Sequence, residues 1–394
     1  MSNAFARPAD RLAAIKPSPI RAIFDRAAQL EAEGRKIYHF EIGRPDFDSP
    51  AVAKQATIAA LEAGKVHYAP NAGTADLRAA ISEYLADKRA VRYCPDGEII
   101  ATVGANEAVF LAMMAFCGPG DEVVIPVPAW AHYQSCVRLA GAEPVEVPLN
   151  AADGHRLDHA ALAAAITERT RMVVLCTPNN PTGTVASKSD VDAVAELLRG
   201  TDALLLSDEI YADLTYDTDH VSPAALDELH PRTLSVGGFA KAFAMDGWRL
   251  GWLAGPAELI APALRVRQYT TVCSTTFTQD GGAAALRSAR EDSESMRRSF
   301  EQRRNAALDI LRGTERVRVA SPDGAFYLYL SYDPATAEPA EELALRLLEE
   351  HGVAVVPGTA FDPAGGTHSL RISYACPLPD LTEGLRRIRT ALGR

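Results

Sequence analysis

Seven short runs rich in Val, Ile and Leu, separated by longer stretches of helical periodicity, constrain this chain more than any other feature. They occupy residues 98–103, 122–127, 143–147, 171–177, 203–207, 233–236 and 250–255. None shows the apolar–polar alternation of a half-solvated strand, so each is expected to be buried on both faces of a largely parallel sheet. Helical patterns fall between them, as at 107–117, 157–166 and 189–198. Parallel neighbours need long crossovers, and this alternation of strand and helix predicts an α/β fold.

The last third follows a different rhythm. A charged helical stretch covers 281–312, followed by a strand pair at 316–320 and 325–330 and a helix at 340–351. Strands at 353–356 and 369–374 and a final helix at 381–392 complete it. Few strands with helices on one side predict a smaller α+β domain, with an N-terminal helix at 20–34 packing there. A chain of 394 residues exceeds one ordinary core. The expected division is 1–45 as an N-terminal segment on the small domain, 46–290 as the large domain and 291–394 as the small one.

Composition narrows the function classes. Forty basic against 51 acidic residues give a net charge of −11, with no basic block, which argues against nucleic acid and anionic membranes as partners. No segment approaches the roughly 18 consecutive apolar residues of a membrane span. The first residues carry Arg7, Asp10, Arg11 and Lys16 and lack an apolar signal core, so the chain reads as untargeted and cytoplasmic. Cysteines at 94, 117, 136, 176, 273 and 376 show neither C-x-x-C nor ligand spacing; reduced thiols and no metal site are expected.

Chemistry concentrates where strands end. Asp208, in Ser207-Asp208-Glu209-Ile210-Tyr211, follows a buried strand, at the edge where open α/β sheets bind ligands. It suits either a cationic partner or a turn cap. Lys241 follows the strand 233–236 through a small-residue turn. If shielded from water its amine would lose its charge readily and attack an aldehyde; otherwise it is a solvated lysine. Arg249, between Gly247 and Gly251, suits a phosphate or a surface ion pair. The loop Thr177-Pro178-Asn179-Asn180-Pro181-Thr182-Gly183 is dense in turn residues, and Asn180 is held extended by the proline after it. Val103-Gly104-Ala105-Asn106 leads from strand to helix through small residues, and the free N–H groups there can cradle a phosphate. Neither a Walker A nor a G-x-G-x-x-G fingerprint is present, so a nucleotide-linked dehydrogenase is disfavoured.

In this order the segments resemble the fold-type-I pyridoxal-phosphate enzymes, specifically class I/II aminotransferases of the bacterial aspartate-aminotransferase-like branch. The resemblance runs from Glu41-Ile-Gly-Arg-Pro-Asp-Phe to Leu370-Arg-Ile-Ser-Tyr. It is most specific in Lys241-Ala-Phe-Ala-Met-Asp-Gly-Trp-Arg-Leu-Gly and Pro178-Asn-Asn-Pro-Thr-Gly. It implies a mostly parallel seven-stranded sheet flanked by helices, and pyridoxal 5'-phosphate as cofactor. Lys241 would form the Schiff base and then shuttle the proton, and Asp208 would pair with the ring nitrogen. Tyr211 and Asn180 would bond the ring oxygen, and Trp130 would stack on the ring. Arg249 and the turn Gly104-Ala105-Asn106 would hold the phosphate, with Tyr68 reaching it from the neighbouring subunit of a homodimer. Arg371 would clamp the substrate α-carboxylate beside Gly43, with Asn180 and Trp130 lining the same pocket. The implied reaction moves an α-amino group from an amino acid to a 2-oxo acid in ping-pong fashion. Elimination at the β or γ carbon, cyclisation and oxidation are the alternatives on this scaffold.

Two departures bear on substrate. Several aspartate-specific members of the branch carry a lysine where this chain has Asn106, and Cys273-Ser274-Thr275-Thr276 offers no cation where partner residues often line the pocket. Preference for aspartate is therefore not required, and it stays open because a distal arginine can come from another loop. Gly238 replaces a phosphate-binding serine, a change the branch tolerates. His132 is expected as a packing residue ahead of a substrate contact. A ligand-sensing regulator is disfavoured because the first expected helix already begins at Ile20, leaving no room for a DNA-binding domain before it.

Overall fold

Apolar runs become strands, and the helices between them cover both faces of the resulting sheet. The computed structural model describes residues 9–15, 19–315, 317–335 and 337–393. Residues 1–8 and Lys16, on which the untargeted reading rests in part, and position 316, the first of an expected strand, lie outside the described residues. The first long elements are α1 (Pro19–Ala32), the two-residue strand β1 (Tyr38–His39), α2 (Ala51–Glu62) and α3 (Ala75–Arg89). The seven expected runs follow as β2 (Ile99–Thr102), β3 (Glu122–Val127), β4 (Glu143–Pro148), β5 (Thr170–Cys176), β6 (Leu204–Asp208), β7 (Thr233–Gly238) and β8 (Gly251–Ala254). They make one sheet in the order β2-β8-β7-β6-β5-β3-β4. All neighbours are parallel except β8, which runs antiparallel to both β2 and β7.

Between and after these strands lie α4 (Gly104–Phe116), α5 (His132–Ala140), α6 (His159–Ala165), α7 (Lys188–Leu198), α8 (Ala257–Arg267) and α9 (Thr276–Ser288). The missing alternation now has its cause. Met172 and Val174 of β5 pack with residues of α4 and α5, while Val173 and Leu175 pack on the other face with residues of α6 and α7. A strand covered on both sides has no polar face to show.

The remaining elements are α10 (Arg290–Leu311), β9 (Val317–Val319), β10 (Tyr327–Tyr332), α11 (Ala340–His351), β11 (Val353–Ala354), β12 (Val356–Pro357), β13 (Ser369–Ser373) and α12 (Leu378–Leu392). A separate antiparallel sheet has the order β12-β13-β10-β9, and β1 pairs in parallel with β11. As expected, α1 packs here: Ile23, Ala27 and Leu30 share one core with Phe326, Leu328, Leu347 and Leu385.

The single helix expected over 281–312 is two helices. Ala289, with φ −104 and ψ 28, separates α9 from α10. Gly281 of α9 lies where an added Cβ would meet Thr57 of α2, whereas Met296 and Phe300 of α10 enter the core shared with α1. One straight helix does not face both. The run 353–356 likewise splits, its halves pairing with β1 and β13. The second strand of the pair sits two residues later than expected. The final helix starts three residues earlier because Pro379 is tolerated in a first turn. Among the described residues no helix is long and apolar enough to cross a membrane.

Candidate active site

Asp208 is the last residue of β6 and 1% exposed. Its Oδ1 accepts a hydrogen bond from the Ile210 N–H at 3.1 Å, the local bond of a capping aspartate. Its Oδ2 accepts a second from the Tyr133 hydroxyl of α5 at 2.7 Å, which a simple cap does not need. Burial lifts this carboxyl to about 6, against the pull of those two bonds.

Lys241 sits in the turn after β7 and donates from Nζ to the carbonyl oxygen of Gly43. The same Nζ lies 5.5 Å from the centre of the Tyr211 ring and 5.7 Å from that of Phe326. A solvated lysine would keep no such company. Burial pushes the amine down to about 8; Arg371 and Arg249 add to the push, while Asp246 and Asp208 oppose it. Near neutrality such an amine holds a useful neutral fraction, the form that attacks a carbonyl.

Arg371 comes from β13 and is 3% exposed. Nη2 donates to Glu41 O at 2.7 Å and Nη1 to Asn180 Oδ1 at 3.1 Å, both neutral oxygens. The guanidinium lies between two rings, 4.5 Å from the centre of Tyr327 and 4.9 Å from that of Phe361. Its Nε is buried with no partner among the described residues. A buried guanidinium held by neutral groups is costly unless a carboxylate completes it, and its planar edge matches one.

An anion cup forms where α4 begins. Gly104 takes φ +75, and a Cβ there would lie 2.7 Å from Arg249 Nη2, so glycine is what admits the guanidinium. The first-turn N–H groups of Gly104, Ala105 and Asn106 have no intrahelical partners, so a cation and a helix N-terminus converge. The Asn106 carbonyl accepts from His132 Nε2 at 3.1 Å, and the His132 ring lies 4.5 Å from Trp130. Trp130 in turn meets the edge of Tyr133 at 5.5 Å.

The expected residues Lys241, Tyr211, Asn180, Arg371 and Gly43 are therefore linked through direct contacts or one shared neighbour, Asp208 acts on Lys241 through its charge, and the Gly104–Arg249 cup and Trp130 lie beside them. Tyr68 is not among them: it is 88% exposed, on a loop tied to Val272 by Asn71. Two site residues escaped the sequence. Tyr133 supports Asp208, and Tyr327 brings its hydroxyl to 2.9 Å from that of Tyr211. No motif or spacing in the sequence marks either of them. Anion cup, depressed amine, buried acid and a buried guanidinium met only by neutral oxygens together fit a phosphorylated pyridine aldehyde beside an amino acid.

Known proteins agree with this chemistry. The family model for aminotransferase class I and II matches residues 35–388. A putative aminotransferase of Bacillus subtilis, YugH, is 40% identical over 97% of both chains. Aromatic-amino-acid aminotransferase 2 of Thermococcus litoralis is 38% identical, again over 97% of both. The solved structure of Thermus thermophilus aspartate aminotransferase with maleate superposes with a TM-score of 0.93 at 37% identity, covering 98% of this chain and all of that one. The chain belongs to the class I and II aminotransferases and is a pyridoxal-phosphate-dependent enzyme of amino-group transfer.

Proposed function

We propose that Lys241 is the Schiff-base lysine and the proton carrier, and that Arg371 fixes the substrate α-carboxylate so that Cα–H comes within reach of Nζ. The observation that carries this is the buried Arg371 Nε left without a partner among the described residues, on a guanidinium whose Nη atoms meet only neutral oxygens. Bound pyridoxal phosphate supplies an electron sink for the charge left on Cα when that proton departs. Asp208 would keep the ring nitrogen protonated, which an ionised carboxylate held by Tyr133 and Ile210 is suited to do. Tyr211 and Asn180 would bond the ring oxygen, and Trp130 would cover one ring face. Arg249 with the N–H groups of Gly104, Ala105 and Asn106 would hold the phosphate. Gly43 would offer its backbone beside the substrate. Lys241→Ala tests the core of this reading: it should abolish the cofactor's lysine-linked absorbance, and retention of that absorbance would refute it.

We infer further that the donor need not be aspartate. Asn106 is neutral, and relatives of nearly equal identity are named for aspartate and for aromatic amino acids. A panel of donors against 2-oxoglutarate tests this. An aspartate rate far above every neutral and aromatic donor would overturn it. We also propose a homodimer, in which the exposed Tyr68 reaches the partner's phosphate cup. Tyr269 is 86% exposed on the segment to which the Tyr68 loop is tied, which supports burial of this face. A cytoplasmic location accords with six free cysteines.

A further inference from the structure

We propose that Tyr327 is a positioning residue serving two groups of the site at once: its hydroxyl orients the proton of Tyr211, and its ring face holds the guanidinium of Arg371.

Strand register brings this about. Tyr327 opposes Ser373 across the β10–β13 pair, and Tyr329 opposes Arg371. Side chains of alternate residues share a face, so Tyr327 and Arg371 stand diagonally on the same side of the small sheet, within reach for long side chains. The contact is closed: Tyr327 is 1% exposed, with the guanidinium 4.5 Å from its ring centre and Phe361 on another side at 4.9 Å. A desolvated cation gains most from a ring face where no carboxylate is present to hold it. The rings thus keep Arg371 in place before any substrate arrives.

The hydroxyl has a separate task. Tyr211 and Tyr327 present oxygens 2.9 Å apart, and only one proton fits between them. The Arg371 charge beneath Tyr327 makes that phenol the better donor of the two. Tyr327 therefore gives its proton to the Tyr211 oxygen, and the Tyr211 proton is left to point into the site, sharpened as a donor by the bond it receives. Gly43 permits the arrangement, since a Cβ at that position would lie 2.7 Å from the Tyr327 oxygen. The glycine beside the substrate and the tyrosine behind it are one steric unit.

This rests on the reading of Lys241 and Tyr211 given above, and two variants separate its halves. Tyr327→Phe keeps the ring and removes the hydroxyl. In the cofactor-loaded enzyme the pH midpoint of the lysine-linked absorbance change should rise by about half to one unit, because Tyr211 becomes a weaker donor to the ring oxygen. Maleate affinity, measured on loaded and cofactor-free protein alike, should stay within about twofold. Tyr327→Leu removes the ring face as well, and maleate affinity should fall on the order of tenfold. If that variant does not fold, Tyr327→Met takes its place. An unmoved midpoint in Tyr327→Phe overturns the hydroxyl half. Unchanged maleate affinity in Tyr327→Leu or its substitute overturns the ring half. A merely structural tyrosine would lower the melting temperature of both variants and move neither readout. The Lys241→Ala control tests the Schiff-base reading alone; the maleate arm on cofactor-free protein is independent of that reading and rests only on Arg371 as the carboxylate clamp.

Discussion

His39 tests the electrostatics behind Arg371. Its Nδ1 lies 2.8 Å from Glu41 Oε1 and its Nε2 3.0 Å from Glu31 Oε1. Carboxylate oxygens accept, and a neutral imidazole carries one N–H, so both bonds together require the imidazolium. The bond to Glu41 is the largest influence on the ring, and with Glu31 it outweighs burial to push His39 from 6.5 up to about 9. Glu41 is 1% exposed and its Oε2 has no partner among the described residues, so loss of the imidazolium leaves a buried carboxylate uncompensated. That residue also supplies the carbonyl that holds Arg371 Nη2.

A pKa raised on folding gives stability that is complete below pH 6.5 and is lost as pH climbs through about 9. The whole shift corresponds to about 3 kcal/mol, an upper bound. The His39 side chain is 28% exposed and that of Glu31 47%, so solvent screens part of the interaction. About 1–2 kcal/mol should survive. The perturbation is His39→Gln, compared with the unaltered chain by urea unfolding of cofactor-free protein at about pH 6 and about pH 9.5. The advantage of the unaltered chain should shrink by about 1–2 kcal/mol between the two conditions. Lys241 titrates in the opposite sense, but both chains carry it and its effect cancels in the difference. An advantage of equal size at both pH values would refute the reasoning.

Three further outcomes follow from the site. Lys241→Met should stabilise cofactor-free protein near pH 7 by up to about 3 kcal/mol, because the folded state holds the amine well below its usual range. That gain should fade as pH rises from about 8 to 10.5, where the unfolded lysine also loses its proton; urea titrations across that window check it. Arg371→Gln should raise KM for the amino donor by about 100-fold or more, with a smaller loss in kcat, since it removes the charge proposed to meet the α-carboxylate. Gly104→Ala must strain a φ of +75 and crowd Arg249, so cofactor affinity, read by equilibrium titration, should fall by about tenfold or more.

What the sequence disclosed depended on how local its cause was. Strands buried on both faces announce themselves as continuous apolar runs, and all seven appear in the sheet within three residues of their expected ends. Strand ends in turn locate Asp208, Lys241 and the Gly104 turn, because a parallel sheet gathers those ends along one edge. The direction of β8 left no such trace: antiparallel and parallel strands covered on both faces look alike in composition. The paired glycines of α9 count against a helix by propensity, yet a Cβ on Gly281 would meet Thr57 and one on Gly282 would meet Leu250. Close approach explains them, and only the fold reveals the approach. The same holds at the site. Lys241 meets Gly43 across 198 residues, Arg371 meets Asn180 across 191, and Tyr211 meets Tyr327 across 116. Resemblance had supplied both members of the first two pairs and Tyr211 of the third, but nothing local to Ala325-Phe326-Tyr327 distinguishes a tyrosine that holds an arginine from one that fills a core. The register of β10 on β13 makes that distinction, since a shift of one residue would turn the Tyr327 ring to the opposite face and leave Arg371 without it.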